Sequence, residues 1–442
     1  MLDIPGRAAD VASFSKIDFS GCRSVIAAVS GGGDSLALLF LLKEHFARHA
    51  PAVGLVAVTV DHGIRPEAAA EARAVAALCG DIGVAHRTMR WDEAKPATGL
   101  QQAARDARYA LLAKAAEDAG AGLILTGHTL DDQLETVAMR KRRGDGRGLA
   151  GIAPATLYDG RFWIARPLLD VRREELRRYL RDKGVTWHED PSNSDPKYER
   201  VRVRSALAGG DSVAHRRAIG EMSQAAAERV RLGKSAASLI RRHAGRVSPG
   251  LYRLDHGFAA AEEKEAAVYA LRILLAVVGG RAQLPDAPRT AALLERLSQP
   301  RARATLSRSV AEARDGDLYL RRELRGLPHA GAARPGEIWD GRYRIGAKAV
   351  EGIEIAPFGN EAAGAWALLD EREAPALYRA ALAAEPALWR GADCHGRAPV
   401  SAVAGPWARF LPSFDLEVAS AVAELIGGKP FPVPPPIPLL VQ

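Results

Sequence analysis

Up to about Ala165 the chain alternates short apolar, β-branched runs with longer segments whose apolar residues recur at helical spacing. The pattern predicts strands at Ser24 to Val29, Val53 to Val60, Val84 to Arg90 and Leu123 to Thr126, with helices over 35–48, 66–82, 99–120 and 130–143. A further strand over Phe162 to Ala165 precedes a helix over 172–183. Such alternation implies right-handed crossovers and a parallel sheet covered on both faces, with ligands at the C-terminal strand ends.

From about Ala206 the alternation stops, and Ala-, Arg- and Glu-rich stretches of helical spacing run to about Leu297. Beyond them, Asp315-Gly316 lies between Arg303 to Ser307 and Leu318 to Arg322, and Asp340-Gly341 separates Glu337 to Trp339 from Arg342 to Ile345. Both Asp-Gly pairs predict hairpin turns. The Pro-rich stretch Pro430 to Pro438 cannot donate ladder hydrogen bonds and is expected to be an extended surface tail. The expected architecture is therefore α/β, a Rossmann-like parallel sheet over 1–205, followed by an α-helical domain over 206–300 and a small α+β C-terminal module over 301–442. No internal repeat is evident.

Composition narrows the class. The 442 residues, 48% of them hydrophobic, suffice for two or three domains with their own cores. No run approaches the ~20 apolar residues that span a bilayer, and Met1 to Arg7 carries no apolar signal core. Cys22, Cys79 and Cys394 lie far apart without a C-x-x-C pair, which argues against a bound cluster and points to the cytoplasm. The net charge is +8 with a pI near 9.5. Basic residues crowd the middle of the chain, at Arg140 to Arg143, Arg172-Arg173, Arg177-Arg178, Arg200, Arg202, Arg204, Arg216-Arg217 and Arg241-Arg242. That clustering favours a polyanion larger than one nucleotide, because phosphate contacts release counterions; a solvated helix face accounts equally well for any single cluster. An apolar seam in the Ala-rich region allows a homodimer.

The chemistry concentrates at strand ends. Ser30-Gly31-Gly32-Gly33-Asp34-Ser35 joins the first strand to a helix, so backbone N–H groups, a helix N-terminus and two hydroxyls converge as a phosphate cradle. A Walker loop would place a lysine there; Asp34 stands instead, and a carboxylate beside phosphates calls for bridging Mg²⁺. Gly233-Lys234-Ser235 ends like a Walker loop but sits in a helical pattern with Glu228 where glycine is needed. Asp61 and His62 follow the second strand, where they could meet a nucleotide or only each other's loop. After the fourth strand come His128, Asp131, Asp132 and Glu135; Asp132 and Glu135 share a helix face and attract a metal or an ammonium, while Asp131 could merely cap the helix. Arg105, Arg108 and Tyr109 share a face of the third helix and, aimed inward, could fork a carboxylate or phosphate. Further on, Arg200, Arg202 and Arg204 alternate with valine, which predicts an extended segment with the arginines on one side as a rail for a phosphodiester backbone.

The loop Ser30 to Ser35 resembles that of the PP-loop ATP pyrophosphatases, which split ATP into AMP and pyrophosphate. The further segments Val60 to Arg65, Ala104 to Tyr109, Thr126 to Thr136, Arg143-Gly144 with Gly148-Leu149 and Gly151, Arg166 to Leu169 and Asp190 to Asn193 together resemble the tRNA(Ile)-lysidine synthase family in order and spacing. The likeness spans about Ser24 to Arg204, with Val201 where the family often has asparagine, and with a shorter C-terminal module than its longer members. It implies a ligase that adenylates the wobble cytidine of the CAU anticodon of tRNA(Ile) and joins free L-lysine to the 2-position of the base. ATP would lie on Ser30, Gly31, Gly32, Gly33, Asp34 and Ser35 beside Asp61 and His62, with Mg²⁺ on Asp34. Asp34, Arg108, His128, Asp132 and Glu135 would be catalytic, the last two receiving the lysine amine, and Arg143, Arg166, Arg200, Arg202 and Arg204 would contact RNA. The rivals are a PP-loop tRNA 2-thiolation enzyme, which would need cluster-holding cysteines, and an RNA-binding module with an inert nucleotide site.

Overall fold

The computed structural model describes residues 14, 17–144, 146–189, 195–208, 212–297, 299, 301–346, 352–367 and 375–435. The segment Asp190 to Asn193, the residues Met1 to Arg7 and the end of the Pro-rich stretch lie outside them. The chain forms two compact units rather than three, one over 1–229 together with 432–442, the other over 230–431.

In the first unit, β1 (Ser24–Ala28), β2 (Gly54–Asp61), β3 (Ala85–Arg90) and β4 (Leu123–Thr126) alternate with α1 (Gly33–His49), α2 (Ala68–Asp81), α3 (Leu100–Asp118) and α4 (Leu130–Arg142). The expected strands and helices stand where the hydrophobic pattern put them. β5 (Ala155–Tyr158), which the pattern did not predict, runs antiparallel to β6 (Phe162–Ala165), and α5 (Arg173–Asp182) follows. Within this unit the strands lie in the order β5-β6-β4-β1-β2-β3, and β1 pairs in parallel with both β2 and β4. The strand order therefore reverses between β1 and β4, and a crevice opens at their C-terminal ends. β1 and β4, apolar apart from Ser24 and Thr126, are buried along their whole length, as strands of a sheet covered on both faces must be.

The predicted extended arginine rail is a helix, α6 (Glu199–Ala208). Arg-Val alternation imitates a strand, yet Glu199 and the run Ser205 to Ala208 suit a helix, and residues four apart then share a face where residues two apart do not. Arg200 and Arg204 accordingly stand together, whereas Arg202 turns to the Pro196 and Lys197 carbonyls at 2.8 and 2.9 Å.

In the second unit the region expected to be purely helical also carries a hairpin. α7 (Ser212–His243), whose residues up to Arg229 belong to the first unit and whose later part contains Gly233-Lys234-Ser235, is followed by β7 (Ala244–Ser248) and β8 (Leu251–Leu254), then α8 (His256–Ala260), α9 (Lys264–Val278) and α10 (Ala287–Arg296). β7 and β8 join β9 (Arg303–Leu306), β10 (Ser309–Arg314) and β11 (Asp317–Arg322) in a five-stranded sheet of order β7-β8-β11-β10-β9, which runs across residue 300. α9 packs its almost wholly buried apolar length into the core beneath that sheet. Both Asp-Gly turns form as expected, with φ of +51° and +88° at Asp315-Gly316 and +51° and +69° at Asp340-Gly341. The turn between β9 and β10 does the same with Ser307-Arg308, at +55° and +62°, residues that carry no turn signal. Smaller antiparallel sheets and helices complete the unit up to Leu416–Ile426. No described helix is long and apolar enough to cross a membrane.

Candidate active site

The loop between β1 and α1 is built for close approach. Gly31 has a φ of +85°, which favours glycine, and a Cβ on Gly33 would meet the Trp187 ring at 3.4 Å. The two hydroxyls brace the turn: Ser30 N–H donates to Ser35 Oγ at 3.1 Å, and Ser35 Oγ donates to the Gly32 carbonyl at 2.9 Å. The first N–H groups of α1 have no partner within the helix and carry its positive dipole end.

A cleft of about 600 Å³ opens beside this loop, lined by Ser30, Gly32, Thr59, His62, Arg108 and Tyr198 among others. Its walls include one orphaned group: His62 Nδ1 is buried without a hydrogen-bond partner among the described residues. Burial and the nearby Arg108 guanidinium hold the His62 imidazole below its ordinary range, so it is neutral. Asp61 does not line the cleft; its Oδ1 accepts from Gly63 N–H at 2.8 Å and shapes the loop. On α3, Arg108 faces the cleft, while Arg105 lies over the Tyr109 ring at 5.0 Å and Tyr109 is core.

Gly127 ties this loop to the acidic helix. A Cβ there would lie 2.6 Å from the backbone oxygen of Asp34, so only glycine lets the end of β4 reach the first turn of α1. α4 then opens with a capping box: Asp132 N–H donates to Thr129 Oγ1 at 3.4 Å, and Thr129 N–H returns to Asp132 Oδ2 at 2.8 Å. Asp131 caps a different helix, accepting from the Arg173 N–H of α5 at 2.7 Å.

Three carboxylates meet on one guanidinium that sequence reasoning passed over. Arg173 donates through Nε to Asp34 at 3.0 Å, through Nη2 to Asp132 at 3.0 Å and through Nη1 to Glu135 at 3.3 Å. α6 adds Arg200, which reaches Asp132 at 2.7 Å and Glu135 at 2.6 Å, and Arg204, which reaches Glu135 at 2.7 Å. Burial raises the Asp34 carboxyl above its ordinary range, with Arg173 opposing. Burial pushes Glu135 the same way, but hydrogen bonds from Arg204 and Arg200 prevail and hold it low. Arg173 showed itself only as one of a basic pair, since nothing local marks an arginine at a helix start as the hub of three distant acids.

His128 lies at the end of β4 with Nδ1 2.9 Å from Thr126 Oγ1. Desolvation together with Arg166, Arg108 and Arg200 holds it well below the usual imidazole range, so it is neutral. Arg166 is no outer RNA contact: it is buried and donates to the Ala153 carbonyl at 2.8 Å and Thr156 Oγ1 at 3.0 Å, because β5 folds back over it. Arg143 is exposed at the end of α4 and pairs with Glu199. The Gly148 to Gly151 turn is held from α4 by Arg140, which donates to both glycine carbonyls, and by Gln133, which donates to the Ile152 carbonyl at 3.0 Å.

The structure thus brings together Asp34, Asp132 and Glu135 around Arg173, and gathers Ser30, Gly32, His62 and Arg108 around the cleft. A family model described as a PP-loop domain matches residues 9–209, which makes this the chain's ATP-binding part. Among curated proteins, the chain is 54% identical to a tRNA(Ile)-lysidine synthase of Mesorhizobium japonicum, over 96% of each chain. It is 37% identical to that of Rhizobium meliloti over 95% of each, and 38% identical to that of Brucella ovis over 86% of each. With identity of that order along nearly its whole length, the chain belongs to the tRNA(Ile)-lysidine synthase family.

Proposed function

We propose that this chain is an ATP-dependent ligase that joins free L-lysine to the 2-position of the wobble cytidine in the CAU anticodon of tRNA(Ile), giving lysidine. The observation that carries the reading is the junction of a phosphate-cradling loop with an acid pair one helix away, linked through Asp34, Gly127 and Arg173.

The chemistry requires both halves. The cytosine 2-oxygen is a poor leaving group, so it attacks the α-phosphorus of ATP and pyrophosphate departs; the oxygen then leaves as part of AMP when the lysine ε-amine attacks C2. The loop Ser30 to Ser35 takes up charge developing on the pyrophosphate, and Arg108 in the cleft faces the nucleotide or the lysine carboxylate. Placing both reactants in one pocket lowers the barrier by roughly 7–11 kcal/mol through orientation. Asp34, an oxygen donor beside the loop, suits Mg²⁺, which needs only one or two carboxylates besides phosphate oxygens and water. Bound there, the ion would neutralise phosphate charge.

Asp132 and Glu135 receive the lysine ammonium. An amine with an ordinary pKa of ~10.4 arrives protonated, so one carboxylate must accept a proton before attack. His128, neutral among arginines, is positioned to donate or accept a hydrogen bond near the base without adding charge. The thiolation alternative is disfavoured by the cysteines: Cys22, Cys79 and Cys394 lie far apart in the sequence with no C-x-x-C pair to hold a cluster.

Incubation with ATP, Mg²⁺, radiolabelled lysine and bulk tRNA tests the reading. Label entering tRNA, with AMP and pyrophosphate released, is the expected result. Pyrophosphate exchange without lysine uptake would move the chain to the thiolation class, and RNA binding without ATP turnover would leave an inert module.

A further inference from the structure

If Asp132 and Glu135 receive the substrate amine, as proposed above, the enzyme without substrates has an occupancy problem. A carboxylate offers about four lone-pair positions, and on both acids this chain's own donors engage them. On Glu135, Oε1 accepts from Arg204 Nε at 2.7 Å and Arg173 Nη1 at 3.3 Å, while Oε2 accepts from Arg200 Nε at 2.6 Å and Arg204 Nη2 at 3.4 Å. On Asp132, Oδ1 accepts from Arg200 Nη2 at 2.7 Å and Arg173 Nη2 at 3.0 Å, while Oδ2 accepts from Thr129 N–H at 2.8 Å and Thr129 Oγ1 at 3.0 Å. An arriving ammonium meets saturated acceptors and three guanidiniums of its own sign. Guanidinium keeps its proton at any physiological pH, so it can yield only by moving away.

The three arginines are not held alike. Arg173 is the inner one, with 17% of its side chain exposed, and it is anchored to Asp34 through Nε and to Asp131 through its backbone N–H. Arg200 and Arg204 are 43% and 36% exposed and stand one turn apart on α6, so one displacement of that helix removes both. Glu135 beneath them is only 2% exposed, which makes them its cover.

We propose that Arg200 and Arg204 are internal surrogates for the substrate ammonium, closing the acid pair to free lysine until an RNA backbone draws α6 away. Phosphodiesters compete well for such groups, through bidentate contacts and counterion release. The order imposed is RNA first and lysine second. It suits the reaction, because lysine held before adenylation has no electrophile to attack.

Equilibrium dialysis of radiolabelled lysine tests this, using wild-type protein with and without a CAU-anticodon tRNA transcript, and the R200Q/R204Q variant without RNA. Because apparent affinity falls with the fraction of open sites, RNA should tighten lysine binding to wild type by at least about tenfold, and the variant should bind at least about tenfold tighter than wild type alone. Equal binding by wild type with and without RNA, or a folded variant that binds no tighter, overturns the proposal. Should the variant fail to fold, the wild-type comparison decides alone. Lysidine formation by the wild type separates the two readings. Labelled tRNA together with RNA-independent lysine binding removes only the surrogate role, whereas no label in tRNA under any condition removes the proposed function itself.

Discussion

Gly127 and Asp34 touch through their backbones: a Cβ on Gly127 would lie 2.6 Å from the Asp34 carbonyl oxygen and 2.9 Å from its carbonyl carbon. This contact fixes the distance between the loop that faces phosphate and the helix that carries the acids. Both contact atoms are backbone, so neither can swing aside. Gly127→Ala should destabilise the protein by about 1–3 kcal/mol, the usual cost of overpacking, and should raise KM for ATP more than KM for lysine. Chemical denaturation and steady-state kinetics check it; an alanine variant with unchanged stability and KM would show that the two segments slide freely.

Arg173 neutralises charge that would otherwise repel itself. Removing it leaves Asp34, Asp132 and Glu135 facing one another with less compensation, so Arg173→Ala should lose about 3 kcal/mol of stability. Lysine in its place should recover little, because a single ammonium cannot reproduce the three-way fork. Thermal denaturation of the two variants beside wild type reads the difference.

Asp132→Asn separates the two chemical steps. The substitution removes one negative charge from the amine-receiving pair while Arg173 keeps its contacts to Asp34 and Glu135. Adenylation of tRNA should persist, and lysine transfer should fall by at least about 10²-fold, in the range expected for a lost proton acceptor. Release of pyrophosphate and incorporation of labelled lysine, measured on the same samples, distinguish the steps; loss of both together would assign Asp132 to the nucleotide.

Stability should fall on mild acidification. Desolvation first, and then Arg166, Arg108 and Arg200, hold the folded-state pKa of His128 well below the value it has in the unfolded chain. Below about pH 6.5 the unfolded chain therefore binds a proton that the folded protein refuses, and folding stability drops by roughly 1.4 kcal/mol per pH unit from this group. His45, His62 and His86, each lowered by burial, add to the same trend. Denaturation curves between pH 8 and 5 should show the decline, and His128→Gln should make it shallower by one proton; an unchanged slope would mean the imidazole titrates normally.

Much of the first unit can be read along the chain, because local pattern and tertiary outcome agree there. β1 and β4 are apolar but for Ser24 and Thr126 and end up buried on both faces, and the three glycines before Asp34 mark a turn whose φ at Gly31 is left-handed. The hairpin turns at Asp315-Gly316 and Asp340-Gly341 follow from residues that accept positive φ. Likewise, the spacing of Asp132 and Glu135 places them on one helix face before any packing is known.

What failed to show was decided at a distance. Arg200 to Arg204 alternates like a strand, and only the pull of two buried acids on α4 reveals that the useful spacing is four, not two. β5 covers Arg166, so an arginine that would serve RNA on a surface becomes an internal brace. Arg173 lies 139 positions from Asp34 along the chain, and no local signal connects them. Short-range sterics and hydrophobic period wrote the strands, helices and phosphate loop into the sequence, since each depends on neighbours a few residues away. The charge balance of the site depends on which side chains share a poorly solvated space, and that was settled only when the chain closed on itself.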